Sequence, residues 1–183
     1  MPHSGDAPVG RNECGMIVYS ENMKITLLTV GKTTIPFVAE GIREFLTRLK
    51  RFPTPFELRV VADVKTTRKT TESAQKHTEG EAILAAVAAS DVLILLDEHG
   101  KEFTSREFAE FIEQKAVSGI KSLVFVVGGP YGFSPDVYAR ANGKISLSRM
   151  TFPHALIRLF FIEQLYRAFT ISAHLPYHHA YKK

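Results

Sequence analysis

The sequence predicts an α/β fold, with a mainly parallel sheet flanked by helices. Three observations carry this. Strand-like and helix-like segments alternate along the chain. Two runs, Val92 to Leu96 (VLILL) and Leu123 to Val127 (LVFVV), are apolar throughout, as expected of strands covered on both faces. Glycine or proline punctuates most of the junctions.

Met23 to Val30 (MKITLLTV) is β-rich and apolar, so it reads as a buried strand that Gly31 ends. Pro36 opens a helix to about Lys50, with Phe37, Ile42, Phe45 and Leu49 near helical spacing. Pro53 and Pro55 break it. Phe56 to Val64 reads as a second strand, followed by a polar, basic loop from Lys65 to Thr71. Glu72 to Ala89 reads as a helix whose Ala-rich end suits close packing.

After the VLILL strand, Asp97 to Lys101 reads as a loop, and Ser105 as the N-cap of a helix with Phe108, Phe111 and Ile112 buried. Gly119 ends that helix. The LVFVV strand closes on Gly128-Gly129-Pro130. Ser134 as N-cap and Pro135 at the first turn predict a short helix to about Ala141. Lys144 to Leu147 is the last predicted strand, and Pro153 to Ser172 the last helix. That helix has two apolar stripes, one through Leu156, Leu159, Ile162, Tyr166 and Phe169, the other through Ile157, Phe161, Leu165 and Ala168. A helix apolar on two faces is buried on both. The sheet covers one; a second subunit or the Phe-rich preceding helix covers the other, and a homodimer through this helix is expected.

The 183 residues suggest one domain, and 45% hydrophobic content is enough for its core. A net charge of +4 permits a nucleic-acid partner without requiring one. Cys14 is the single cysteine, which excludes an internal disulfide and a cysteine metal cluster and fits a reducing, cytoplasmic setting. The longest apolar run, Ala82 to Ala89, is too short to span a bilayer, so no membrane role is expected. Residues 1–22 lack periodic apolar patterning and the marks of a signal or transit peptide. They read as a disordered extension, Met23 as a plausible start, and residues 23–183 as one domain. No GxxxxGK[ST] and no GxGxxG after the first strand is present, which argues against P-loop and ordinary Rossmann enzymes.

Ligands bind at the carboxyl ends of strands in open α/β sheets. Two candidate walls lie there. Gly128 to Ser134 is either a glycine turn that lets backbone approach a ligand or a plain strand-to-helix turn. Leu147, Ser148, Arg149, Met150, Thr151 and Phe152 form a loop whose amides and carbonyls could bracket an adenine edge while Met150 and Phe152 pack on its faces. The alternative is a capped turn, with Ser148 or Thr151 as N-cap. His154 and Arg158 share a helix face, and the helix amino end favours a neutral imidazole able to accept a proton, unless the ring makes only a structural hydrogen bond. Arg158 has no local partner in sequence and is a candidate to face an anion; Arg167 has Glu163 four residues before it. The tail His174 to His179 reads either as an active-site lid, with Tyr177 and His178 as acid/base or RNA-contacting groups, or as a frayed end. No carboxylate or cysteine stands in register with the histidines, so no metal is expected. The loop from Lys65 to Lys69, with Lys76 and His77, could hold phosphates or be solvated surface.

These pieces together resemble the ribosomal RNA large subunit methyltransferase H family, of the SPOUT class. The matching stretches are MKITLLTVGK (Met23 to Lys32), LLDEHGKEFTSREFA (Leu95 to Ala109), FVVGGPYG (Phe125 to Gly132), ISLSRMTFPHALIRLFFIEQLYRAFTI (Ile145 to Ile171) and PYHH (Pro176 to His179). The resemblance implies a C-terminal SPOUT trefoil knot, a homodimer, and S-adenosyl-L-methionine as methyl donor. It implies methylation at N3 of a pseudouridine in large-subunit (23S) rRNA of assembled ribosomes. Carried over by position, the cofactor contacts would be Leu96, Gly128 and Leu147 through Phe152. The tail would belong to the active site, with His154 and His178 as candidate bases and Tyr177 and Arg158 as positioning groups. Competing readings are a SPOUT methyltransferase for another rRNA or tRNA base, and a non-catalytic α/β protein that binds ribosomes. A metal-dependent hydrolase lacks paired acidic ligands.

Overall fold

A computed structural model describes residues 22–62 and 70–178. The predicted N-terminal extension (Asn22 apart), the segment holding Lys65 to Lys69, and His179 lie outside the described residues. Strands and helices alternate as β1 (Lys24–Val30), α1 (Pro36–Leu49), β2 (Phe56–Val61), α2 (Glu72–Ala85), β3 (Val92–Glu102), α3 (Ser105–Val117), β4 (Ser122–Val127), α4 (Pro135–Arg140), β5 (Gly143–Ser146) and α5 (His154–Ser172). The strands form one sheet in the order β2-β1-β4-β3-β5, and every pairing is parallel.

The two-residue period of a strand divides the core between the sheet's faces. Ile25 and Leu27 of β1 and Leu123, Phe125 and Val127 of β4 join the cluster with α1, α3 and α5. Leu28 and Val30, with Val124 and Val126, join the smaller cluster with Ile83 of α2 and Val137 of α4. The apolar runs VLILL and LVFVV are the two strands between β1 and β5, covered on both faces as their composition predicts.

The second apolar stripe of α5 is covered inside the chain. Phe161 lies against Phe108 of α3 and Phe125 of β4, at ring-centroid distances of 6.1 and 4.6 Å. Tyr166 meets Phe45 of α1 at 5.8 Å, and Ser105 of α3 donates a hydrogen bond to Gln164. The preceding helices therefore take the role assigned to a second subunit, and the two stripes by themselves give no argument for a dimer.

Several boundaries differ from the sequence expectation. Thr104, not Ser105, caps α3: its hydroxyl accepts from the Glu107 amide while the Glu107 carboxylate accepts from the Thr104 amide. This reciprocal box is worth about 1 kcal/mol. Pro153 is itself the N-cap of α5, with no side-chain cap, so neither Ser148 nor Thr151 has that role. Helix α2 stops at Ala85 rather than Ala89. The Asp91 carboxylate takes the Ala88 amide, and the Arg140 guanidinium takes the Ala88 and Ala89 carbonyls, which withdraws these groups from a helix. Strand β2 ends at Val61, and the Val64 to which the sequence extended it lies outside the described residues.

Strand β3 continues past the expected loop. Leu96 pairs with Ile145 of β5, and after Asp97 to Gly100 bulge out, Lys101 pairs with Ile145 again. Gly100 crosses so close to the Ile145 backbone that an added Cβ would lie 2.7 Å from its Cα, which only glycine avoids.

Candidate functional site

The carboxyl ends of β3, β4 and β5 open into a crevice of about 460 Å³, within the usual range for a small-molecule site. Leu96, Gly128, Leu147, Ser148, Met150, Thr151, Phe152 and His154 line it. The turn from Gly129 to Phe133 forms the facing wall, and Asp97, Glu98, His99 and Tyr138 stand at the mouth. The two walls proposed from sequence thus meet across one space.

Local hydrogen bonds hold the second wall. The Ser146 hydroxyl donates to the Ser148 carbonyl at 2.9 Å, and the Ser148 hydroxyl accepts from the Met150 amide at 2.9 Å. Ser148 thus closes its own turn instead of capping α5. Met150 is 72% exposed, while Phe152 is half-buried edge-on to Phe160 at 5.1 Å. Arg149 does not line the crevice; its guanidinium turns outward to the Glu102 carboxylate at 3.1 Å.

His154, the first residue of α5, is exposed and lines the crevice. Arg158 does not. It is 2% exposed, and its guanidinium donates to the carbonyls of Gly31 (2.8 Å) and Val30 (2.6 Å) and to the Thr33 hydroxyl (3.0 Å). The candidate to face an anion thus spends its guanidinium on backbone carbonyls and a hydroxyl of its own chain. Its acceptors lie over 120 residues away in sequence, where local spacing gives no signal.

The tail also lies elsewhere on the subunit. Tyr177 donates its hydroxyl hydrogen to Glu163 at 3.0 Å, packs its ring on Tyr166 at 4.8 Å, and lies under the Arg167 guanidinium. Burial, then the Glu163 carboxylate, pushes the Tyr177 phenol above its ordinary pKa. Glu163 is nine residues along α5 from His154, about 13 Å by helical rise. His178 follows, half-buried. The crevice and the tail of one chain are thus two separate clusters joined by α5.

At the mouth, Tyr138 donates to Asp97 at 2.5 Å, and burial together with that carboxylate pushes the phenol up to about 12. Sequence reasoning missed this pair, and it missed Glu79. Glu79 of α2 is 2% exposed and lies directly behind Gly129, where an added Cβ would come within 2.7 Å of the carboxyl carbon. The one signal was an acidic residue beside Gly80, in a helix stretch that has to approach the glycine turn closely.

The crevice's donor set fits a nucleoside-bearing ligand: apolar side chains flank a loop and a glycine turn that present backbone groups. Among the described residues no group of three or more His, Cys, Asp or Glu could hold a metal, and no helix is long and apolar enough to cross a membrane.

The model of a family described as "Predicted SPOUT methyltransferase" matches residues 23–178. Ribosomal RNA large subunit methyltransferase H of Parabacteroides distasonis is 53% identical over 157 residues, spanning 86% of this chain and 99% of that protein. The protein of the same name from Flavobacterium psychrophilum is 52% identical over the same shares. The crystal structure of a putative methylase family protein from Neisseria gonorrhoeae has the same fold, with a TM-score of 0.50 and 13% identity over 88% of this chain and 87% of that one. An all-parallel sheet with its crevice at the ends of β3, β4 and β5, matched over nearly all the described residues at about half identity, places this chain in the SPOUT methyltransferase family, among the ribosomal RNA large subunit methyltransferase H proteins.

Proposed function

We propose that the protein methylates N3 of a pseudouridine in 23S rRNA within assembled cytoplasmic ribosomes, using S-adenosyl-L-methionine. The observation that supports this most is the coincidence of two features. Leu96, Gly128 and all of the loop from Leu147 to Phe152 except Arg149 line the crevice, and these residues lie within the span matched by the methyltransferase family model, in a chain about half identical to relatives named for rRNA methylation.

When bound, the cofactor supplies an already activated methyl group, so this chain's residues mainly place the reactants. Leu96, Gly128 and the loop from Leu147 through Phe152 hold the nucleoside end by apolar contact and backbone hydrogen bonds. The N3 of pseudouridine carries a proton that has to leave before nitrogen can attack. His154 at the crevice edge and His178 in the tail are the candidate acceptors, with Tyr177 orienting the base. Arg158 acts at one remove, by fixing α5 to the end of β1.

The reading includes a homodimer, in which one subunit's tail reaches its partner's crevice, and the C-terminal trefoil knot of the family. The separation of tail and crevice within one chain favours such an exchange. Phe37 (65% exposed) and Phe160 (38% exposed) offer apolar surface for the contact.

Labelled S-adenosylmethionine incubated with ribosomes lacking the modification, followed by mass mapping, tests the proposal. Label at N3 of a 23S pseudouridine is the expected result. Cofactor binding without labelled ribosomes would overturn the substrate and move attention to free tRNA. No cofactor binding would favour a non-catalytic ribosome-binding protein.

A further inference from the structure

The crevice is unusually poor in positive charge for a protein with net charge +4. Among the described residues no lysine or arginine lines it, while Asp97 and Glu98 stand at its mouth. A third carboxylate lies behind the wall. Glu79 is 2% exposed and pressed against Gly129, which lines the crevice. Gln75 donates to its Oε1 at 2.8 Å, and among the described residues its Oε2 has no hydrogen-bond partner. Two glycine contacts fix the arrangement. Gly129 has no side chain where the carboxylate sits, and a Cβ on the adjoining Gly80 would meet the buried Ser134 hydroxyl that caps α4.

A carboxyl group in a helix interior facing a turn is usually replaced by an apolar residue, because burying it without full pairing is costly. Here the cost is retained within one backbone thickness of the ligand space. A carboxylate buried there acts through a low-dielectric medium and is screened by salt less than the half-buried Asp97 and the exposed Glu98 at the mouth.

We infer that Glu79 makes the crevice selective for a cationic ligand over its neutral counterpart, and so for S-adenosylmethionine over S-adenosylhomocysteine. The inference rests on the cofactor reading above. Methyl transfer removes the sulfonium charge, so the same carboxylate that favours the donor gives nothing to the spent product and speeds its release. Glu79 is a specificity-determining residue acting through the Gly128–Gly129 wall, and does not touch the reacting atoms.

Calorimetric titration of the full chain with three ligands tests this: S-adenosylmethionine, S-adenosylhomocysteine, and sinefungin, which carries an amine in place of the sulfonium. The wild-type protein is expected to bind both cationic ligands on the order of tenfold more tightly than the neutral one. Glu79→Gln keeps the shape and the Gln75 contact side, and is expected to erase most of that preference while leaving the neutral ligand's affinity within about twofold. The loss persists at about 0.5 M salt, whereas any loss from the mouth variant Asp97→Asn fades there. Equal weakening of all three ligands by Glu79→Gln would assign the residue to wall shape alone and overturn the inference. So would an unchanged preference. If the variant does not fold, the wild-type comparison decides: a neutral product bound as tightly as the two cations overturns it. A wild-type protein that binds none of the three removes the cofactor reading itself, and this inference with it.

Discussion

Tyr177 donates to Glu163 from the far end of the chain, and the bond fastens the tail to the middle of α5 rather than beside His154. The Arg167 guanidinium closes the group from above the Tyr177 ring at 4.7 Å. A tail so placed serves its own crevice poorly, which is the ground for the proposed exchange of tails between subunits.

Subunit mixing tests that arrangement. His154→Ala and Tyr177→Ala proteins, each inactive alone, are mixed after dissociation and assayed for methyl transfer. Random pairing of two-fold dimers with exchanged tails restores about a quarter of wild-type activity, because one site of each mixed dimer is intact. Recovery below a few per cent of wild type, with mixed dimers demonstrated, would mean that each tail serves its own subunit.

His154 is expected to act on the proton and not on the cofactor. His154→Ala should lower methyl transfer by about 10²- to 10⁴-fold, the usual scale for a general base. Cofactor affinity, read by calorimetry, should change by less than about threefold, since the ring is exposed at the crevice edge. If cofactor affinity falls in parallel with rate, the side chain belongs to binding.

Arg158 holds the carboxyl end of β1. Arg158→Met fills similar volume but leaves the Val30 and Gly31 carbonyls without this donor. The expected cost is about 3 kcal/mol, a Tm drop of about 10 °C in a domain of this size. A variant that melts within 2–3 °C of wild type, roughly 1 kcal/mol or less, would show that other donors replace the guanidinium.

The Tyr138–Asp97 pair gives an alkaline signature. Tyr138 is held up to about 12 in the folded protein, against an ordinary value of 10.0. Between those values the unfolded chain loses the proton and the folded one keeps it, so the contribution is whole below pH 10 and declines toward pH 12. Denaturant titrations should show stability falling more steeply there in wild type than in Tyr138→Phe. The residue is more than a third exposed, so solvent softens the difference. Equal slopes would mean the pair carries no linkage.

What the sequence disclosed follows the range of the forces involved. The β3 and β4 runs, Ser134 before Pro135, and the apolar stripes of α5 are set by neighbours within a few residues, and all were legible. The crevice walls were legible too, because each follows a segment that reads as a strand, β4 for one and β5 for the other. The cap at Thr104 was readable from Glu107 three residues on, and the neighbouring Ser105 concealed it. Arg158, Glu79 and the end of α2 were not legible. Each answers to a partner brought near by the fold: Val30, Gly129 and Arg140.

The bond from Arg158 to Val30 joins residues 128 positions apart, tying the last long helix to the first strand. On a ribosome adding about 5–20 residues per second, β1 emerges on the order of ten seconds before the helix that fastens it. In that interval the growing chain carries an apolar strand without its closing helix, so a holdase gains access to it. A polypeptide cut short before α5 lacks the guanidinium that fastens β1, and is expected to be more open to proteolysis than the full chain.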